Sequence, residues 1–283
     1  MDAHRRRLLV VLVGAMFAGQ PPRAAAALAQ ERAAGKDRPK IAAIEPAERG
    51  FYSKLLDYDG IPIKAHNVVA DEALYEARDR LWKMLHQNPN VHANLKAAGA
   101  ELHVIGKNQV TSDLPEHRRL KGKPFEGGLT VDERTRGLGG LLASCGEENL
   151  LRLPKDRYHG RDICVHEFAH NIFQYGLPES VRRQFRQQRE GSLGKGLWQG
   201  SYAGSNDHEF FAELAMWYWG TRGDLGMKGK KPENGREGLK QYDPAAYELF
   251  DRFYTGRMEI PRIEPRRKKP PVRGADPQRS GGP

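Results

Sequence analysis

Two histidines and a glutamate stand close together in the stretch His166-Glu167-Phe168-Ala169-His170, which has the spacing H-E-x-x-H. On a helix, residues four apart differ by about 400° in direction, so both imidazoles project from one face, about 40° apart, and can bind one metal ion. Glu167 then lies beside that face and can reach a metal-bound water without binding the ion. The alternative is a pair of core histidines beside an ion-paired glutamate. We interpret the stretch as a metal site.

A catalytic zinc ion takes a third protein ligand and keeps one position open. The residue six positions after His170 is Gly176, so a third histidine does not stand there. The candidate is Glu209, within the stretch Asn206-Asp207-His208-Glu209-Phe210-Phe211-Ala212-Glu213. Glu209 and Glu213 are four apart and share a helical face, so one can bind the metal while the other hydrogen-bonds a ligating histidine. Alternatively, Glu209 is an acid placed near a helix N-terminus, where the helix dipole stabilises it.

Both motifs fall on predicted helices. Apolar residues recur at helical spacing over 162–175, and this helix ends at Gly176 with Pro178 beyond it. The second helix covers 206–219 and ends at Gly220. Between them the pattern predicts a basic amphipathic helix over 181–190 and a glycine-rich functional loop over 191–205.

The rest of the chain predicts an α+β fold with a small sheet upstream of the metal helix. Helical spacing indicates a helix over 71–87 and a second short helical stretch after it, whereas alternation predicts strands over 102–105 and 150–153. Residues 120–140 read as loop with short strands. After Gly220 we expect a Gly/Lys-rich loop to 241 and a helix over 243–254.

The two motifs together resemble a known family. The stretch from Tyr202 to Glu213, following H-E-x-x-H, is similar to the metal-binding half of the anthrax-lethal-factor-like zinc metallopeptidases and of the related titration-factor and Pro-Pro endopeptidase groups. In that pattern a tyrosine is followed seven residues later by a glutamate and then by Phe-Phe-Ala. Upstream of Asp162 no correspondence is found, and His208 has no role in the pattern.

The resemblance implies a zincin-like fold, one zinc ion per chain and hydrolysis of bonds in a peptide or protein substrate. It implies that His166, His170 and Glu209 are zinc ligands, Glu167 the general base, Tyr202 the transition-state stabiliser, and Glu213 the hydrogen-bond partner of a ligating histidine. Zinc held by such ligands brings the pKa of a bound water toward ~7. Without the resemblance, the alternative for Tyr202 is a buried aromatic whose hydroxyl is satisfied. A zinc-holding protein of the same fold that no longer cleaves is the alternative function.

The N-terminus has the form of a secretory signal. A basic run precedes an apolar stretch over 8–18, which is too short to span a bilayer, and Ala27-Leu28-Ala29 follows as a cleavage site. The alternative is an uncleaved anchor or a buried N-terminal helix. We therefore predict a signal peptide over 1–29, a linker over 30–40, the metallopeptidase domain over 41–260 and a disordered basic tail over 261–283. The expected location is secreted or periplasmic.

The formal net charge of +10 lies mostly at the two ends. Residues 1–29 carry four arginines and one aspartate, and residues 261–283 carry seven basic and two acidic side chains, which leaves +2 for residues 30–260. A nearly neutral domain argues against nucleic acid as a partner. The tail and the basic stretch Arg182-Arg183-Gln184-Phe185-Arg186 offer a different hypothesis, weak adhesion to anionic envelope polymers or lipids. The sequence does not indicate an oligomeric state.

The chain has two cysteines, Cys145 and Cys164. In an oxidising compartment such a pair can form a disulfide, and this is the prediction for an exported chain. The alternative is two buried small side chains.

Overall fold

Six strands form one mixed sheet in the computed structural model, which describes residues 38–223, 226–227 and 229–264. The strands are β1 (Ala42–Glu48), β2 (Tyr52–Tyr58), β3 (Ile61–Ala65), β4 (Glu101–Ile105), β5 (Gly137–Leu138) and β6 (Leu142–Gly146). Their order across the sheet is β1-β2-β3-β4-β6-β5. The first three strands pair antiparallel, and β3-β4 and β4-β6 pair parallel. The short β5 pairs antiparallel with β6 and forms an edge of the sheet.

The parallel pairing of β3 with β4 requires a crossover, and two helices provide it. These are α1 (Asp71–Leu85) and α2 (Pro89–Ala98), which ends at Gly99 in the left-handed conformation with φ 78°. The inward face of α1 buries Leu74, Leu81 and Met84 in the main core. Both helices and β4 lie where the sequence predicts them.

The remaining helices pack after or beside the sheet. They are α3 (Val131–Arg134), α4 (Glu147–Leu150), α5 (Ile163–Asn171), α6 (Glu179–Gly194), α7 (Tyr202–Ser205), α8 (Asp207–Tyr218), α9 (Gly235–Tyr242) and α10 (Pro244–Tyr254). A π-helical turn, Ile172–Gly176, extends α5. Helix α5 packs against β6 on one side and against α8 on the other. The predicted α+β class, with its sheet upstream of α5, is therefore confirmed.

The predicted strand over 150–153 is wrong. Leu150 ends the short helix α4, Arg152 is left-handed with φ 53°, and the actual strand is β6, just upstream. The reason is a long-range contact of Glu147, whose carboxylate accepts hydrogen bonds from the backbone N–H groups of Ala70 and Lys107 at 3.1 and 2.7 Å. These two groups follow β3 and β4, so α4 is fixed by neighbours that a local pattern does not contain.

Two predicted loops are shorter than expected. Helix α6 continues to Gly194 and α7 begins at Tyr202, so only 195–201 of the predicted loop over 191–205 is non-helical. The loop predicted to run to 241 ends at α9, which begins at Gly235. Helix α6 buries Phe185 and helix α9 buries Leu239 in the main core, which also contains Phe250. This packing outweighs the glycine content of α6 and α9.

Both cysteines are free thiols in the structure, so the predicted disulfide is not formed there. Cys145 on β6 and Cys164 on α5 are fully buried where the helix packs on the sheet. Burial and the neighbouring Cys164 raise the pKa of the Cys145 thiol well above its usual range. A thiolate is the species that reacts to form a disulfide, and this environment suppresses it.

The predicted segments at the two ends lie largely outside the described residues. This holds for the signal peptide over 1–29, for most of the linker over 30–40 and for the tail beyond Glu264. Residues 261–264, which the sequence assigns to the tail, are hydrogen-bonded to Asn94. The Asn94 side chain donates to the Pro261 carbonyl at 3.2 Å and accepts from Ile263 N at 2.9 Å. Among the described helices, none combines the length and apolar character that crossing a bilayer requires.

Candidate metal centre

Helix α5 carries His166, Glu167 and His170, and its start is fixed locally. The Asp162 side chain accepts a hydrogen bond from Val165 N at 3.1 Å and so caps the first turn. Every residue from Ile163 to Ala169 is buried, because the helix lies between the sheet and α8. The imidazoles are therefore held by a rigid element.

Helix α8 carries Glu209 and Glu213. Its cap is Asn206, whose Oδ1 accepts a hydrogen bond from Glu209 N at 3.0 Å. All residues from Phe210 to Tyr218 are buried, so the first turn, with His208 and Glu209, is the part of α8 that lines the cleft, whereas Glu213 contacts His166 from within the core.

Three atoms from these two helices form a small triangle. His166 Nε2 and His170 Nε2 are 3.2 Å apart, and Oε2 of Glu209 lies 3.3 Å from the first and 3.7 Å from the second. Ligand atoms roughly 2.0–2.2 Å from a tetrahedral ion are about 3.3–3.6 Å from one another. The triangle therefore has the size that a tetrahedral zinc ion requires.

The environment of the Glu209 carboxylate also fits a metal. Its Oε2 is buried and has no hydrogen bond of good geometry, although two imidazole nitrogens are near. A buried carboxylate oxygen without a hydrogen bond is costly unless something else compensates its charge. A cation at the centre of the triangle would provide that compensation, and two imidazoles with one carboxylate are donors that zinc accepts.

Glu213 lies on the other side of the His166 ring. Its Oε1 is 3.2 Å from His166 Nδ1 and 3.0 Å from Nη2 of Arg161, and its side chain is fully buried. His166 Nδ1 has no hydrogen bond of good geometry among the described residues, but a carboxylate at this distance favours a proton on Nδ1, so that Nε2 faces the triangle. Arg161 therefore belongs to the site, although the sequence analysis did not identify it. Its position in the loop before α5 carries no local signal.

The two imidazoles differ in their protonation. Burial alone lowers the pKa of His166, but the carboxylates of Glu209 and Glu213 outweigh burial and raise it to about 10. Burial, together with the charge on His166, lowers the pKa of His170 to about 4. Burial raises the pKa of Glu209, but His166 holds it below its ordinary value. The cluster without metal thus holds one imidazolium beside ionised Glu209.

Glu167 and Tyr202 flank the triangle. The carboxylate of Glu167 lies within 4.8 Å of donor atoms of both histidines, and burial raises its pKa to about 7. A carboxylate with this pKa can accept and release a proton near neutral pH. The Tyr202 phenol hydrogen-bonds to the Glu209 carboxylate, and its ring is 6.4 Å from the His166 ring, nearly parallel to it.

The three residues of the triangle, with Glu167, Tyr202 and Arg161, line one open cleft of about 550 Å³. Its wall consists of Phe125, Arg134, Thr135, Gly137, Leu138, Gly139, Gly140, Tyr158, Arg161, Ile163, His166, Glu167, His170, Gln174, Tyr202, Asn206, His208 and Glu209. Glycine is required at 139, because a Cβ there would be 2.7 Å from Cδ2 of His170. The chain that leaves the edge strand β5 can therefore pass directly beside α5 and form one side of the cleft.

The structure thus brings together the predicted residues His166, Glu167, His170, Tyr202, Glu209 and Glu213. Cys164 lies in the core and belongs to neither group of possible ligands found among the described residues. His208, which the motif pattern leaves without a role, lines the cleft and packs edge-on against Phe173, with ring centroids 4.8 Å apart.

The basic stretch over 182–186 is largely engaged within the protein. Arg182 pairs with Glu179, and Arg186 pairs with Glu179 and with Asp207 at the start of α8. Arg183 is exposed. Helix α6 therefore uses much of its positive charge to hold α8.

No protein-family model matches the chain, and no curated protein matches it. Among solved structures, the chain is similar to the Pro-Pro endopeptidase PPEP-2 from Paenibacillus alvei, with a TM-score of 0.48 and 20% sequence identity. The similarity covers 65% of this chain and 91% of that chain.

Proposed function

We propose that the protein is a zinc-dependent peptidase with a zincin-like fold. The observation that carries the proposal is the triangle of His166 Nε2, His170 Nε2 and Glu209 Oε2 on the wall of an open cleft, with edges of 3.2–3.7 Å. The resemblance of the two motifs to the anthrax-lethal-factor-like metallopeptidases supports the same assignment. The proposed substrate is a peptide or protein.

A zinc ion bound by these three residues would supply a Lewis acid that activates water and polarises a peptide carbonyl. Glu167 accepts the proton of the attacking water, for which its raised pKa and its place beside the histidines suit it. The Tyr202 phenol donates a hydrogen bond to the carbonyl oxygen as negative charge develops there. Glu213 and Arg161 keep His166 oriented.

Retention of both Glu167 and Tyr202 favours a peptidase over a protein that merely holds zinc. A structural zinc site needs ligands and neither a base nor a phenol beside an open cleft. A binding protein of the same fold is therefore the second hypothesis.

Peptide-library cleavage by zinc-loaded protein, read by mass spectrometry, tests the proposal. Glu167→Gln is the matched control, because the amide keeps the shape of the side chain but cannot accept the proton. We expect one zinc per chain in both proteins and a loss of turnover of at least about 10²-fold in the variant. Zinc content near zero after dialysis against zinc would remove the metal hypothesis. Zinc binding without cleavage by the wild type would leave the binding protein.

We also propose export from the cytoplasm, with cleavage after residue 29. The supporting pattern is the basic run, the short apolar stretch and Ala27-Leu28-Ala29. N-terminal sequencing of the protein from its native host should begin at Gln30. A mature protein that begins at Met1 contradicts it.

A further inference from the structure

The short turn α7 carries Tyr202 into the cleft, but four residues do not hold a helical turn by themselves. Two contacts fix its beginning. The Ser201 hydroxyl accepts a hydrogen bond from Gly204 N at 3.1 Å, and Gly204 packs so closely on Trp198 that a Cβ would be 2.3 Å from the Trp198 carbonyl oxygen. The end of the turn needs a support of its own.

Arg189 of α6 provides this support. Its Nη2 donates to the carbonyl oxygens of Gly204 at 2.8 Å and Ser205 at 3.2 Å, and its Nη1 donates to Oδ1 of Asp207 at 3.2 Å. The two carbonyls close the turn that carries Tyr202. Asp207 opens α8, two residues before Glu209. One guanidinium, 18% exposed, therefore joins the phenol-bearing turn to the helix that carries the third proposed ligand.

We propose that Arg189 is a positioning residue that fixes the Tyr202 phenol relative to Glu209. The inference rests on the proposed function for its effect on catalysis. A guanidinium is a planar fork with fixed donor directions, so it can bind two carbonyls and a carboxylate at once. Misplacement of a reacting group by about 1 Å can cost about 10²-fold in rate, which sets the scale of the expected effect.

Arg186 provides a matched control on the same helix. Its Nε donates to the other oxygen of Asp207 at 2.8 Å, and its Nη1 donates to Glu179 at 3.2 Å. Its hydrogen bonds among the described residues do not include the carbonyls of Gly204 and Ser205. Arg186→Gln therefore removes an ion pair to Asp207 and leaves the support of the turn in place.

Steady-state kinetics of the zinc-loaded full chain separate the two roles. We expect Arg189→Gln to lower kcat by about 10- to 100-fold, with KM and zinc affinity within about twofold of wild type. Arg189→Lys should recover part of the loss, and Arg186→Gln should stay near wild type. When Tyr202→Phe is already present, adding Arg189→Gln should lower kcat by less than about a further twofold, because the hydroxyl that Arg189 positions is absent.

The proposal would be overturned if Arg189→Gln lowered kcat by the same factor with and without the Tyr202 hydroxyl. It would also be overturned if Arg186→Gln lowered kcat as much as Arg189→Gln does. Thermal melts of each variant identify any that fail to fold, and Arg189→Lys then takes the place of Arg189→Gln.

A second readout does not depend on activity. In protein labelled with 3-fluorotyrosine, the fluorine resonance of Tyr202 is the one that Tyr202→Phe removes. We expect Arg189→Gln to shift or split this resonance and Arg186→Gln to leave it unchanged. An unchanged resonance in Arg189→Gln contradicts the proposal. If the wild type cleaves no peptide, the proposed function fails while this spectrum still decides the role of Arg189.

Discussion

Glu213 shows how single residues tune this site. It is fully buried, and a buried carboxylate keeps its charge only beside compensating partners. Arg161 at 3.0 Å and His166 Nδ1 at 3.2 Å are such partners. Glu209 differs, because its Oε2 faces the Nε2 atoms of two imidazoles, at 3.3 and 3.7 Å, rather than a guanidinium. Two glutamates one helical turn apart therefore have different proposed tasks, one in the metal's ligand set and one behind a ligand.

The first prediction separates these two tasks. Glu209→Ala should abolish tight zinc binding, because two imidazoles alone remain. Glu213→Gln should weaken it by about 10- to 100-fold, as changes behind a ligating histidine do. Competition with a coloured chelator measures both affinities. The reverse order would mean that the ligand assignment is wrong by one helical turn.

The second prediction concerns Arg161. Arg161→Met keeps most of the side-chain volume but leaves Glu213 without its cationic partner, and zinc affinity should fall by about tenfold. Arg157→Met is the control, since Arg157 is exposed on the same segment and donates to the Glu133 carbonyl at 3.0 Å. The chelator competition applies here as well. Equal affinities in the two variants would exclude a role for Arg161 at the metal centre.

At the scale of elements, one segment docks on the sheet through a buried polar cluster. Glu116 lies between two short 3₁₀ turns that follow β4, and it accepts a hydrogen bond from the Tyr52 hydroxyl at 2.8 Å. It also contacts His103, whose Nε2 lies 2.9 Å from Glu101. Burial opposes ionisation, but His103 outweighs it and lowers the pKa of Glu116 to about 2. The pKa of His103 is raised by the two glutamates despite burial.

The third prediction follows from this cluster. Because the folded pKa of Glu116 is below its ordinary value of 4.5, its stabilisation is present above that pH and is lost as the pH falls toward 2. The raised pKa of His103 acts in the other direction, since its contribution is lost as the pH rises through that pKa. Glu116→Gln should lower the free energy of unfolding by roughly 2–3 kcal/mol at pH 6.

Urea unfolding at several pH values measures this difference. As the pH falls from 4.5 to 2, the difference in the free energy of unfolding between wild type and Glu116→Gln should decrease steadily. A gap independent of pH would show that the carboxylate charge does not stabilise the docked segment.

The fourth prediction concerns the contact between β6 and α5, where both thiols are buried. In the folded protein, both should react slowly with a thiol reagent, because neither sulfur is accessible and burial also raises the pKa of the Cys145 thiol. After unfolding in guanidinium without a reductant, two thiols per chain should titrate. A value of zero would mean that the two cysteines form a disulfide in the purified protein.

At the scale of the whole molecule, the proposed zinc ion would join two distant parts of the chain. Its ligands come from α5 and α8, which are separated in sequence by α6, the loop after it and α7. A ligand that binds the folded state and not the unfolded chain stabilises the fold in proportion to the logarithm of its concentration over Kd.

The fifth prediction is that zinc raises the thermal midpoint. At zinc concentrations about 1,000 times Kd the gain is about 4 kcal/mol, or roughly 10 °C for a chain of this length. Glu209→Ala should show little response to zinc, and a chelator should reverse the shift in the wild type. Differential scanning calorimetry provides the measurement. An equal shift in Glu209→Ala would indicate zinc binding elsewhere.

The sequence by itself determined the helices that carry the site. Their apolar spacing, their caps at Asp162 and Asn206 and the glycines at 176 and 220 are local signals, because a helix is built from contacts three and four residues apart. The four-residue spacing of His166 and His170 depends on the same geometry. For this reason both helices and the shared direction of the two imidazoles could be predicted.

Tertiary structure alone decided how these helices meet and what supports them. The strands over 42–65 and β6 were not predicted, since their pairing joins residues far apart in the sequence. The pattern over 182–186 indicated an adhesive basic surface, and no pattern indicated Arg161 or Arg189, because Arg161, Arg186 and Arg189 have partners on α7 or α8. An ion pair or a carbonyl contact across elements leaves no periodicity in the chain, so it becomes visible only when packing has brought the partners together.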